Sequence, residues 1–191
     1  EYFQSALDHL NPQGLFLAWV QLNRMPASCL DSILGTAVEV FPHVTVWYPV
    51  TQMLSSFLYI VGSREEQLFS AKHMEDELKK EAVRSSAARV ELRSTRDVLN
   101  CYIGDENDIR RYLKDFHINS DYTPYVEFNI DVEFIDFQQT WSILAAMRED
   151  SVLDHIDLGG FTQHERDRWL LEFRSLYGIW THRLNRGIES P

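Results

Sequence analysis

Residues 40–63, VFPHVTVWYPVTQMLSSFLYIVGS, constrain the fold more than any other stretch of the chain. Two apolar runs, HVTVWYP and SFLYIVGS, are rich in β-branched and aromatic residues and are joined by a short Pro-containing connection. Such runs suit a pleated surface, and a connection this short returns the chain antiparallel to itself. A β-hairpin is therefore predicted, with two large aromatics, Trp47 and Tyr48, beside Pro49 where its first strand ends.

The flanking segments place that hairpin in an α/β sheet. EYFQSALDHLNPQG reads as a native helix, with Phe3, Ala6 and Leu10 at helical spacing, stopped by Asn11, Pro12 and Gly14. LFLAWVQL, residues 15–22, is almost continuously apolar, as expected of a strand covered on both faces. Pro26 suits the first turn of a helix, and Leu30, Ile33, Leu34, Ala37, Val38 and Phe41 recur on one face of it up to Pro42. Residues 1–63 thus spell helix, strand, helix, strand, strand.

From residue 64 the character changes. REEQLFSAKHMEDELKKEAVRSSAARVEL mixes charges and good helix formers around a thin stripe of Leu68, Met74, Leu78 and Val83, so a solvated helix packed on one side is predicted. STRDVLNCYIGDENDIRRYLKDF predicts a capped helix through Tyr102, a turn at Gly104 and a second helix from Asp105 to Leu113. NSDYTPYVEFNIDVEF reads as turn and then extended chain. The tail from residue 135 predicts two helices about Gly159 and Gly160, one striped by Trp141, Leu144 and Met147, the other by Trp169, Leu170, Phe173, Leu176, Tyr177 and Trp180. The organisation expected is 1–63, 64–134 and a helical hairpin tail at 135–191.

Charge and cysteine usage narrow the function. The 29 acidic against 18 basic side chains give −11, which opposes any hold on a phosphate backbone and is compatible with attraction of a cation. Cys29 and Cys101 form no CxxC pair, so neither a disulfide framework nor a zinc site is indicated and a reducing, cytoplasmic setting is expected. No apolar run reaches the ~20 residues that a membrane helix needs. Asp154, His155, Asp157, His164 and Glu165 match no metal-ligand spacing, Cys101 sits in the apolar context of a buried thiol, and Asp105, Glu106 and Asp108 suit a helix N-terminus.

EYFQSALDHLNPQGLFLAWV, then a helix, then VFPHVTVWYP and FLYIVGS, resembles the second half of the nucleotide-binding domain of the spermidine synthase (polyamine aminopropyltransferase) family. NCYIGDENDIRRYLKDFHINSDYTPYVEF is similar to the region that follows it in bacterial spermidine synthase-like proteins, whose N-T/S-D-D-x-P-x-x-E-F segment reads here from Asn119 to Phe128 with Tyr122 in place of the second Asp. The resemblance covers roughly residues 1–130. It implies the C-terminal half of a Rossmann-like, methyltransferase-type sheet with a terminal antiparallel hairpin, followed by a helical extension.

The resemblance also implies a role for the aromatics of the hairpin. The family's acceptor amine lies across the carboxyl ends of these strands, so Trp47 and Tyr48 would form its wall, Trp19 and Gln21 would face the same crevice, and Asp121, near Glu127, would meet a distal ammonium. The competing reading makes Trp19 and Trp47 core filler, Tyr48 packing at a hairpin mouth and Asp121 a backbone cap. The family's glycine-rich turn, its acidic nucleoside-binding residue and its catalytic Asp have no counterpart here, so no catalytic, cofactor-binding or metal residue is expected. The resemblance implies that the complete enzyme would transfer an aminopropyl group from its co-substrate decarboxylated S-adenosylmethionine to putrescine or a related amine, and that this chain alone would be inactive.

The 15–22 strand would then keep an open apolar edge. The chain is expected to belong to a longer enzyme, to meet a second polypeptide carrying the donor half or a homo-oligomer partner, or to cover the edge with its own tail. The alternative function is a non-catalytic interaction module presenting Trp141, Trp169 and Trp180. A polyamine site predicts a polar crevice at Trp47 and Tyr48, and an interaction module predicts an apolar patch on the tail helices.

Overall fold

The computed structural model describes residues 1–49, 56–113, 115–130, 137–148 and 150–187. Helix α1 (Tyr2–His9) leads through strand β1 (Leu15–Gln21) and helix α2 (Ala27–Val40) to strands β2 (His43–Trp47) and β3 (Phe57–Ser63), the order predicted for this region. The connection at 50–55 lies outside the described residues. Strand β3 sits between β1 and β2 and runs antiparallel to both, with Tyr59 opposite Trp19 on one side and Trp47 on the other.

A fourth strand, β5 (Tyr102–Asp105), continues the sheet on the far side of β2, giving the order β1-β3-β2-β5 with every neighbour antiparallel. Helix and turn were predicted for this stretch. Four residues are too few for a periodic signal, yet Tyr102 and Ile103 suit a strand and are fully buried in it. A bulge between Val46 and Trp47 lets the short strand fit. The chain is thus mixed α/β around a four-strand antiparallel sheet.

One face of the sheet is sealed. Ala18 and Val20 from β1, Val44 and Val46 from β2, and Leu58 and Ile60 from β3 are buried in one cluster with Leu30, Leu34, Ala37 and Val38 of α2. Phe41, just after α2, stacks on Phe16 at 5.4 Å and lies over Gly62, where a Cβ would come within 2.6 Å of its ring. Arg64 closes α1 by donating to the Leu10 carbonyl at 3.0 Å and to that of Leu7.

The opposite face is covered only in part. The β1 residues on it, Leu15, Leu17 and Trp19, are more than half exposed, which corrects the expectation of a strand covered on both sides. Continuous apolarity in β1 comes from one face packed on α2 and one face left open, a distinction that periodicity cannot register.

Beyond β3 the predicted single helix divides. A two-residue strand, β4 (Phe69–Ser70), precedes α3 (Ala71–Leu78), whose first turn is capped by Ser70, and α4 (Glu81–Ala88) follows after a break at Lys79 and Lys80. Ser94 caps α5 (Thr95–Leu99), as its sequence predicts. Asp105 and Asp108 form a capping box on α6 (Glu106–Tyr112). Residues 125–129 form a short helix, α7 (Tyr125–Asn129), where extended chain was expected, because Asn119 Oδ1 accepts the Val126 N–H at 2.9 Å.

The tail consists of α8 (Phe137–Met147), a 3-10 helix (Asp150–His155), strand β6 (Ile156–Asp157) pairing with β4, and α9 (Gln163–Gly187) after Gly159 and Gly160. Ile143, Leu144 and Met147 of α8 join the core on the sealed face. Trp169, Phe173 and Tyr177 of α9 pack instead with Leu99, Tyr102 and Ala71. Arg148 ties the two helices to β5. It donates to the Asn100 carbonyl at 2.8 Å and the Asn100 amide oxygen at 2.6 Å, and its guanidinium lies 4.0 Å from the centre of the Tyr177 ring. Among the described residues the tail packs beside β5, at the edge of the sheet opposite β1, and not over the β1 edge that it was expected to cover.

Candidate functional site

Strands β1 and β2 both end, and β3 begins, at the same end of the sheet, so their register aligns aromatic side chains across three strands. Trp19, Tyr59 and Trp47 form one row on the partly open face, and Gln21 opposite Phe57 forms the next. Trp19 lies against Phe57 at 5.9 Å, and Phe57 against Tyr59 at 5.4 Å. Trp47 is held edge-on to Phe69 at 5.1 Å and to Tyr102 at 5.5 Å, and its indole N–H donates to Thr45 Oγ1 at 2.8 Å. A half-buried indole with its N–H satisfied presents ring surface without stranding a donor.

Beside this row is a groove of about 420 Å³, within the usual size range for small-molecule sites. Leu17, Val61, Tyr59 and Trp47 form its sheet side, and Val90, Leu92 and Val98 close it from the segment around α5. Tyr48, Pro49 and Cys101 line it where the β2–β5 pairing ends, and there the Tyr48 N–H donates to the Cys101 carbonyl at 2.7 Å. The groove lies at Trp47 and Tyr48, and its walls are apolar where the polyamine reading expects a polar crevice.

The proposed site residues therefore separate. Trp19, Gln21 and Trp47 share the open face, with Trp19 54% exposed and Gln21 exposed. Tyr48 is 1% exposed and joins the core of the sealed face as well as lining the groove, so it is chiefly a packing residue. Asp121 lies elsewhere. Its backbone N–H donates to Glu1 Oε2 at 3.0 Å in a turn whose neighbour, Asn119, is held through its N–H by Thr36 of α2. Asp121 is exposed on the α1–α2 side of the molecule, away from the aromatic row.

Sequence reasoning missed Tyr59, Phe57, Val90 and Leu92 as lining residues. The signal was available in the period-two alternation of FLYIV, which sends Phe57, Tyr59 and Val61 to the face that carries Trp19. Contact with Val90 and Leu92 depends on a tertiary approach that local sequence does not encode.

The other end of β2 is polar and closed. Glu106 Oε2 accepts the Val44 N–H at 3.1 Å, and Glu106 Oε1 lies 3.1 Å from His43 Nδ1. Next to it the buried pair Asp105 Oδ2 and His155 Nε2 meets at 3.2 Å, with Glu66 3.9 Å from His155 Nδ1. Burial pushes the Asp105 carboxyl up, but the hydrogen bond from His155 and those from the Asp108 and Asn107 N–H groups outweigh it and leave the group at about 2. The bond to Asp105 raises the pKa of His155 against the opposing effect of burial. Among the described residues no group of three or more His, Cys, Asp or Glu side chains is placed to hold a metal, and no helix is long and apolar enough to cross a membrane.

Two of the tail tryptophans face inward. Trp169 is 3% exposed and Trp180 packs partly buried against the main core, while the Trp141 side chain lies outside the described residues. Exposed apolar groups on α9 are Leu171 and Ile179. No family model, curated protein or solved structure matches the chain.

Proposed function

We propose that this chain forms the acceptor-amine side of a spermidine synthase-like aminopropyltransferase, its sheet being the C-terminal half of a Rossmann-like fold. The observation that carries the reading is the Trp19–Tyr59–Trp47 row at the shared carboxyl ends of β1 and β2, above an apolar groove. Aromatic faces attract an ammonium group and tolerate methylene chains, and open α/β sheets bind ligands at the carboxyl ends of their strands.

In the reaction that the resemblance implies, the neutral acceptor nitrogen attacks the propyl carbon bonded to the sulfonium of decarboxylated S-adenosylmethionine. A C–N bond forms, the C–S bond breaks, methylthioadenosine leaves with the electron pair, and the nitrogen loses a proton to a base. This chain's part is to hold the acceptor. Donor binding and the base belong to a complementary half docked on the free edge of β1, where Leu15, Leu17 and Trp19 remain exposed.

Titration calorimetry of the chain with primary amines at low salt tests the reading. Saturable binding is expected, weakened about two- to fivefold by Trp19→Ala through loss of one aromatic face. Absence of amine binding by the folded chain would overturn it. An interaction surface on α9 is the second reading; it rests on Leu171, which is 72% exposed.

A further inference from the structure

We infer that the acceptor taken by this groove is a primary monoamine with an apolar tail and not an α,ω-diamine; this deepens the acceptor-site reading and rests on it. Leu17, Val61, Val90, Leu92 and Val98 offer only hydrocarbon, and among the described lining residues none carries a charge. The neighbouring carboxylates are engaged or turned outward. Asp97 accepts the Arg93 N–H and the Ser94 hydroxyl, both at 2.9 Å, and Glu91 is exposed.

A diamine lying along the groove would bring its second ammonium among these walls. Ring attraction returns about two- to fivefold in affinity, whereas removing an ammonium from water without a counter-charge costs orders of magnitude more. An alkyl tail in the same position gains about fourfold for each methylene buried. The single ammonium stays at the mouth beside the aromatic row, where the net charge of −11 favours it.

The test is calorimetric titration of the whole chain with butylamine, hexylamine, octylamine, 1,4-diaminobutane, 1,6-diaminohexane and hexanol. The expected result is a rise of about fourfold per methylene along the monoamines, with hexylamine at least ~10-fold tighter than 1,6-diaminohexane. Val90→Asp, at a position already 42% exposed, places a carboxylate on the wall and is expected to reverse that order. Diaminohexane binding as tightly as hexylamine, or an unchanged order in Val90→Asp, overturns the inference and leaves the acceptor site standing. Hexanol binding as well as hexylamine, or no amine binding at all, overturns the acceptor reading and the inference with it.

Discussion

The two ends of strand β2 invert the usual arrangement of a protein surface. Its carboxyl end carries Trp47 into a partly open apolar groove, and its amino end carries His43 to the half-buried Glu106, beside the buried pair Asp105 and His155. Apolar surface left accessible and charge removed from water are each unfavourable alone, so each needs a reason. At the polar end the reason is structural. Asp105 caps α6, and its pairing with His155 fastens the 3-10 helix of the tail to the sheet. At the apolar end the exposure of Trp19 and Leu17 is what the proposed acceptor site requires.

The largest effect expected from breaking this contrast is at the closed end. Asp105→Ala removes two N-terminal hydrogen bonds from α6 and leaves His155 buried without its partner, so urea denaturation should show a loss of about 3–5 kcal/mol. The same pair sets a pH dependence. Because Asp105 is lowered to about 2, its contribution is present above its unfolded value and is lost as pH falls through about 2. Because His155 is raised, its contribution is complete below its unfolded value near 6.5 and is lost as pH rises through the folded value. The urea midpoint should therefore be highest between about pH 4 and 6.5, and the decline above that window should disappear in His155→Gln.

Gly62→Ala sharpens the comparison from the sealed face. Its new Cβ would approach the Phe41 ring within 2.6 Å, and overpacking of this kind costs about 1–3 kcal/mol by the same measurement. On the open face Leu17→Lys should change stability by no more than about 0.5 kcal/mol while weakening alkylamine binding, because Leu17 is 58% exposed and lines the groove. The smallest effect belongs to Lys79→Ala. It breaks a solvent-exposed pair with Asp76, and the urea midpoint should stay within measurement error.

The hairpin was legible because β-branched and aromatic runs on both sides of a short connection leave the backbone few alternatives, and α2 because its apolar stripe is long enough to show a period. Strand β5 was not legible. YIGD is too short to carry a period, and its partner β2 lies more than fifty residues earlier in the chain. The exposure of Leu15, Leu17 and Trp19 was hidden because an apolar run reads the same whether one face or both are covered. Of the site residues, Trp19 and Trp47 share one face because they have the same strand parity across β3, and of these two Trp47 lines the groove. Tyr48, one residue further along, lines the groove and also joins the core of the sealed face, and Asp121 lies on the α1–α2 side of the molecule.

The central claim is that the Trp19–Tyr59–Trp47 end of the sheet binds an amine and that the His43–His155 end does not. Amide and indole N–H chemical-shift mapping of the chain during titration with hexylamine tests this most directly. The account predicts saturable shifts at the Trp19 and Trp47 indoles and at Tyr59 and Leu92, with Val44, Asp105 and His155 unmoved. Shifts confined to the polar end, or shifts spread evenly over the molecule, would contradict it.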